Sequence, residues 1–204
     1  MNQKQRMQQG LPYKSALDGL KEAREACQLK LYDYNRLRPD EYEQRDILMR
    51  SILGKAGSEL HIEAPFRCDY GGNIEVGDQF YANYNCTILD SGKVTIGHEV
   101  MFAPNVSLYT AGHPIHHIPR NAGYEYALPI TIGDNVWIGG NAVITPGVTI
   151  GDNVVIGAGS VVTKHIPANV VAAGNPCRVI RTITEQDRAY YYRDRPFDIT
   201  ADDL

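Results

Sequence analysis

The stretch TAGHPIHHIPRNAGYEYALP, residues 110–129, holds half of the six histidines of the chain: His113, His116 and His117. Imidazole titrates near neutral pH, so each could act as a general base. His113 stands apart because it lies at the entry of the stretch, between Gly112 and Pro114, where a preceding rigid element would hold it. His116 and His117 read as loop contacts. His61, His98 and His165 fall at repeat or corner positions and read as structural. A second feature is electrostatic. Between Asn153 and Thr184 the only charged groups are Lys164, Arg178 and Arg181, a basic patch in a chain of net charge −4. Such a patch suits a ligand that carries phosphates. No GxGxxG, P-loop, HExxH or GxSxG pattern occurs.

The elements that would position these groups follow from periodicity. From Ile130 the chain falls into rows of six: ITIGDN, VWIGGN, AVITPG, VTIGDN, VVIGAG, SVVTKH. The third residue is always aliphatic (Ile132, Ile138, Ile144, Ile150, Ile156, Val162), and Gly or Thr follows it. The same phase holds in IEVGDQ from Ile74, VTIGHE from Val94, VMFAPN from Val100 and VSLYTA from Val106, with a two-residue slip near Gly92. A strict six fits neither an amphipathic helix nor sandwich strands, which recur every 8–12 residues. It fits a solenoid of some seven coils, each row giving one short strand and one corner. The interruption at 109–129 is then a loop extruded from a rigid frame, where function concentrates. Pro114, Pro119 and Pro129 argue against regular structure in it.

Residues 1–60 are charge-rich and helical in pattern. Leu17, Leu20, Ala23, Cys27, Leu31 and Tyr34 predict a helix from Ala16 to Arg36, ended by Pro39. Asp40 with Glu43 predicts a capping box for a second helix with Ile47, Leu48, Ile52 and Leu53 on its apolar side, closed by Gly54 and Gly57. The chain thus divides into a helical segment 1–60, a repeat domain 61–183 and a tail 184–204 that leaves the repeat. Its Tyr190–Tyr192 could dock on a neighbour, or its acidic end could fray.

Composition excludes other classes. The acidic balance argues against nucleic-acid or anionic-membrane binding. There is no apolar run of membrane length and no secretory h-region at the N-terminus. Cys27, Cys68, Cys86 and Cys177 lie far apart in sequence and read as small buried hydrophobes of a reducing compartment. The expectation is a cytoplasmic protein.

The rows, with PFRCDYGGNI, FYANYNCTILD, YTAGHPIHHIPRNAGYEYALPITIGDNVWIGG and VVAAGNPCRVIR, resemble the maltose and galactoside O-acetyltransferases among the hexapeptide-repeat acyltransferases. The resemblance spans about residues 5–183. It implies a mainly β chain folded as a left-handed parallel β-helix; the handedness is not derivable, since parallel crossovers are ordinarily right-handed. It implies acetyl-CoA as co-substrate, a sugar hydroxyl as acceptor, no metal, and a homotrimer with active sites between subunits.

The family's catalytic histidine maps onto His113, and Glu125, where related sequences often carry an acid, is the candidate to hold its ring. Glu125 could equally be a solvated loop charge. Asn83 and the N–H of Gly140 would face the oxyanion, though Asn83 alone could be a turn residue. Acceptor contacts carry over to Asp69, Asn83 and Asp90, and Asp90 could also cap a corner. Two positions depart from the family. Its N-terminal acceptor carboxylate aligns with Ser15, near Asp18, and the second acid of the galactoside enzymes is Ser91. Both point away from a galactoside. Donor contacts map onto Gly140, Ala158, Thr163, Lys164, Arg178 and Arg181, with Trp137 flanking the pantetheine arm or packing at a coil edge.

Beside a non-enzymatic scaffold that keeps the fold and has lost the chemistry, two rival readings stand. One is a xenobiotic acetyltransferase, whose acceptor site is usually built by a longer loop. The other is a zinc-dependent, carbonic-anhydrase-like β-helix protein, suggested by His113 and His117 four residues apart.

Overall fold

The computed structural model describes residues 1–198. Residues 199–204 of the expected tail lie outside them. Parallel strands wind through three sides. The first side stacks Lys55–Ala56, Ile74–Val76, Val94–Ile96, Ile130–Ile132 and Thr149–Ile150. His61–Ile62, Tyr81–Ala82, Met101–Phe102, Trp137–Ile138, Val154–Ile156 and Val170–Ala173 form the second. Arg67–Cys68, Thr87–Leu89, Ser107–Tyr109, Val143–Ile144 and Val161–Val162 form the third. The expected solenoid is present, but with about six turns rather than seven. Five coils are complete. The sixth has only the bridge at Ile166 and the strand Val170–Ala173 before Arg178–Thr182 turns back antiparallel to it.

The repeat works as its chemistry demands. Two residues of each row point inward: Ile132, Ile138, Ile144, Ile150, Ile156 and Val162 are all buried, as are Ile130, Val136, Ala142, Val148, Val154 and Ser160. Each large aliphatic is worth about 1.5–3 kcal/mol on burial. The corners need left-handed backbone, and asparagine tolerates it. Between the second and third sides, Asn85, Asn105, Asn141 and Gly159 all have φ between 58° and 71°. Between the first and second sides the same role falls to Glu59, Gln79, Glu99, Asn135, Asn153 and Asn169.

The third corner, from third side to the next coil's first side, is different. Other corners advance six residues, as from Lys55 to His61 and from His61 to Arg67. Here Arg67 to Glu75 and Thr87 to Thr95 take eight. Ser107 to Thr131 takes twenty-four. The slip near Gly92 and the extruded loop are therefore the same corner on successive coils.

Three helices precede the coils: α1 Gln3–Gln8, α2 Leu20–Tyr34 and α3 Tyr42–Ile52. Helix α1 was not expected from the sequence; Asn2 and Gln5 form its capping box. Helix α2 begins later than Ala16 because Asp18 and Gly19 are left-handed. Helix α3 has no side-chain N-cap: its N-cap is Glu41, and Asp40 pairs with Arg38 instead. Its buried face is Arg45, Met49, Ile52 and Leu53, while Ile47 is exposed. Tyr34 and Arg45 both donate to the Ile62 carbonyl, and Asn35 exchanges two bonds of 2.9 Å with the Phe66 backbone. Helices α2 and α3 share one core with the coils. Among the described residues no helix is long and apolar enough to cross a membrane.

Candidate active site

The 109–129 stretch is more ordered than its prolines suggest. Ala111–Gly112 pairs antiparallel with Tyr126–Ala127, and a short helix, α4 His117–Asn121, sits at the tip. Pro119 lies in its first turn, where no N–H is needed. The N-terminal segment adds a single antiparallel bridge: Tyr13 and Glu125 exchange main-chain bonds of 2.9 and 3.0 Å. Met7, Tyr13, Leu20 and Ala127 form a small separate core beneath it.

His113 emerges where this hairpin leaves the coil, and it is exposed. Its Nδ1 lies 3.3 Å from the Tyr124 carbonyl oxygen. A carbonyl only accepts, so Nδ1 carries the hydrogen and Nε2 keeps its lone pair. The carboxylate expected to hold the ring is not the ring's partner: a backbone carbonyl takes that place. The Glu125 side chain instead shares its surroundings with Asp69, Tyr13 and Tyr70, whose acidities it lowers. His116 and His117 stack on each other with ring centres 4.7 Å apart. The described residues bring no three His, Cys, Asp or Glu side chains together as a metal-holding group. The remaining histidines serve the frame. His98 Nδ1 accepts the Asp78 N–H at 3.1 Å, His165 Nδ1 that of Thr149 at 2.9 Å, and His61 stacks on Tyr81.

Asp90 is fully buried, and its carboxylate accepts the N–H groups of Asp69, Tyr70 and Asn73 at 2.9, 2.8 and 3.3 Å. Burial pushes its pKa up to about 6 against the pull of these bonds. It caps the third corner and does not face an acceptor, which corrects the expectation that it contacts the sugar. Asp69 is half-buried beside it. Burial raises its pKa, the Arg24 guanidinium lowers it and Glu125 raises it again. The hydroxyls of Tyr13 and Tyr70 are buried with no hydrogen-bond partner among the described residues. Each such orphan costs about 1–3 kcal/mol. Asp69, Glu125, Arg24, Ser91 and these two tyrosines thus make one polar cluster, joined to His113 through Tyr124, the residue before Glu125. Ser15, half-buried, follows Tyr13 on the same segment, and Asp18 is committed to the Gln3 N–H at 2.6 Å. Sequence reasoning missed Tyr13, Tyr70 and Arg24; Tyr70 lies inside CDYG, but Tyr13 carries no periodic signal.

The second corner holds another group. Asn83 follows the second side, and its Oδ1 accepts the Tyr84 N–H at 2.8 Å, which leaves its amide N–H groups uncommitted. Gly140 and Ala158 stack at the same corner one coil apart. A Cβ on Gly140 would come 3.2 Å from the Pro104 carbonyl oxygen, so the surface there is bare backbone. Thr163 and Lys164 lie on the third corner instead, after Val161–Val162. Arg178 and Arg181 sit on the return strand; Arg181 is held by both oxygens of Asp187 at 2.7 and 2.8 Å, and Arg178 bonds the Cys177 carbonyl. Trp137 is 50 % exposed on the second side. The structure therefore splits the expected site residues between two different corners of one chain.

Family profiles match in two places: the maltose acetyltransferase hexapeptide capping motif over residues 6–57, and the bacterial transferase hexapeptide (six repeats) over 129–164. The galactoside O-acetyltransferase of Escherichia coli strain K12 is 50 % identical over 190 residues, 93 % of this chain and 94 % of that one. The chain belongs to the maltose and galactoside O-acetyltransferase family. Two solved structures agree. A maltose O-acetyltransferase from Clostridium difficile 630 is 54 % identical with TM-score 0.89, covering 91 % of this chain and 99 % of that one. A galactoside acetyltransferase in complex with coenzyme A is 48 % identical with TM-score 0.95, covering 98 % and 100 %. This member of the family is an acetyltransferase built on hexapeptide coils.

Proposed function

We propose that the chain transfers an acetyl group from acetyl-CoA to a sugar hydroxyl, with His113 as general base. The observation that carries this reading is the polar cluster at the third corner. The half-buried Asp69 and Glu125 stand on the corner and hairpin that also carry His113, whose Nε2 is free. A polyhydroxylated ligand satisfies such groups by multiple hydrogen bonds.

In this reading the acceptor O–H gives its proton to His113 Nε2 as its oxygen attacks the thioester carbonyl carbon. The Tyr124 carbonyl holds the imidazolium that forms. The oxyanion takes hydrogen bonds from the Asn83 amide and the Gly140 N–H. Its collapse breaks the carbon–sulfur bond, and His113 returns the proton to the departing thiolate. Glu125 joins Asp69 on the acceptor side. The pantetheine arm lies along Gly140 and Ala158, beside Trp137, with Thr163, Lys164 and Arg178 toward the nucleotide. Arg181 reaches it only by sharing or leaving Asp187.

The division between corners supports an assembly in which the third corner of one copy faces the second corner of the next. Repeated head to tail, that contact closes into a ring, and the homotrimer is the ring we propose. The first test is thiol release from acetyl-CoA against maltose, glucose, galactosides, amino sugars and chloramphenicol. Release dependent on a sugar supports the reading; release with chloramphenicol alone replaces it with the xenobiotic one. The second test mixes His113→Ala and Asn83→Ala chains by co-expression. Shared sites regain about a quarter of the wild-type rate, whereas sites confined to one chain regain nothing.

A further inference from the structure

Cys27 and Cys68, 41 residues apart in sequence, meet with their sulfurs 3.7 Å apart. Cys27 comes from the inner face of α2 and Cys68 from the third side of the first coil. Both are free thiols, 6 % and 5 % exposed. Read singly, each is a small hydrophobe. Their contact is a separate fact, since nothing in core packing requires two thiols to face each other across an interface of elements. The Cys68 S–H directed at Cys27 favours a thiolate on Cys27, against the cost of burial. A cavity of about 530 Å³ between α2 and the third side reaches this point. Its wall includes Cys68, Asp69, Leu31, Tyr32, Arg36 and Arg67. A small oxidant therefore has a path to Cys68, with the Cys27 sulfur next to it, and two guanidinium groups line that path.

We infer that Cys27 and Cys68 form a reversible redox-modification site: a small disulfide oxidises them to an intrachain disulfide that locks α2 to the acceptor corner. One thiol of the pair gives up its proton and attacks a sulfur of the small disulfide. A mixed disulfide forms and one small thiolate leaves. The second protein thiol, deprotonated, attacks the protein sulfur of that mixed disulfide and expels the other small thiolate. The two protons released end on the two small thiols, so the oxidant is reduced as the pair is oxidised.

The sulfurs must close from 3.7 Å to bonding distance, about 2.05 Å. Cys68 precedes Asp69, whose N–H is anchored on Asp90 at 2.9 Å. The bond therefore pulls on the polar cluster that the proposed reaction uses for its acceptor. The second corner, with Gly140 and Ala158, is not attached to α2. This functional part rests on the acetyl-transfer reading; the thiol chemistry does not.

The test incubates the full-length reduced enzyme with oxidised glutathione and maps peptides under denaturing, thiol-blocking conditions. The expected product joins Cys27 to Cys68 and leaves Cys86 and Cys177 free. Its melting temperature rises by about 5–10 °C, and dithiothreitol reverses the rise. Acceptor kcat/KM falls about three- to tenfold, since small displacements of positioning groups are costly, while the KM for acetyl-CoA holds. Cys27→Ser and Cys27→Ala show neither shift. Four free thiols after incubation, or bridges to Cys86 or Cys177, overturn the site. A Cys27–Cys68 bridge that leaves acceptor kinetics unchanged overturns the lock. Peptide mapping of the wild type needs neither a folded variant nor any transferase activity, so failure of the acetyl-transfer reading stays distinct.

Discussion

The second and third corners of the solenoid solve opposite problems. The second advances six residues on every coil, is turned by a column of Asn85, Asn105, Asn141 and Gly159, and presents small groups and backbone. The third takes eight residues on the first two coils and twenty-four on the next. It carries Asp69, Tyr70, Asp90, Ser91 and the hairpin with His113. A corner that must repeat can only offer what every coil offers, which suits a long unvarying arm laid along the stack. A corner free to grow can collect carboxylates, hydroxyls and a base. The lesson is that a periodic frame confines chemical variety to the edge where its period is broken.

That division can be tested step by step. His113→Ala should keep the fold and acetyl-CoA binding but lose about 10²–10⁴ in turnover; a mutant near the wild-type rate would remove the base from this corner. Ala158→Leu adds bulk on the second corner and should raise the KM for acetyl-CoA about tenfold, some 1.4 kcal/mol, with the acceptor KM unmoved. Asp69→Asn should show the reverse pattern at similar or smaller size, and steady-state kinetics with both substrates varied decides whether each corner serves one substrate.

The smallest effect concerns Asp90. Its folded pKa, about 6, lies above the ordinary carboxylate value. The native state thus holds an extra proton between roughly pH 4 and 6, and this group's contribution to stability falls as pH rises through that window. On its own it should make the protein more stable at pH 5 than at pH 7 by on the order of 1 kcal/mol. Denaturant melts of Asp90→Asn and wild type at both pH values isolate it; an equal pH dependence in the two proteins would mean that Asp90 is already ionised throughout.

Much of this was legible in the sequence, for a definite reason. Ile132 through Val162 repeat because every coil presents the same interior, so one phase reports the core of all coils. The place of His113 on the extruded hairpin was legible because it sits where the period stops, while its role as base is what the family resemblance implies. Periodicity says nothing about contacts that occur once. Tyr13 reaches Glu125 through a bridge with no repeat, and Cys27 meets Cys68 across two elements with different periods. Asp90 reads as an acceptor contact until its three N–H partners are seen. The short α1 and the later start of α2 turn on local caps and left-handed residues rather than on an apolar stripe.

The return strand Arg178–Thr182 has a consequence beyond its proposed part in cofactor binding. A stack of parallel strands ends in a row of open N–H and C=O groups, and a solenoid could in principle add foreign chains there indefinitely. Here the last parallel strand, Val170–Ala173, is already paired with a strand running the other way. That strand is exposed along its whole length and carries two arginines. Charge on an outermost strand disfavours further pairing. The same residues that are proposed to meet a phosphate thus also cap the fibre that the fold would otherwise seed.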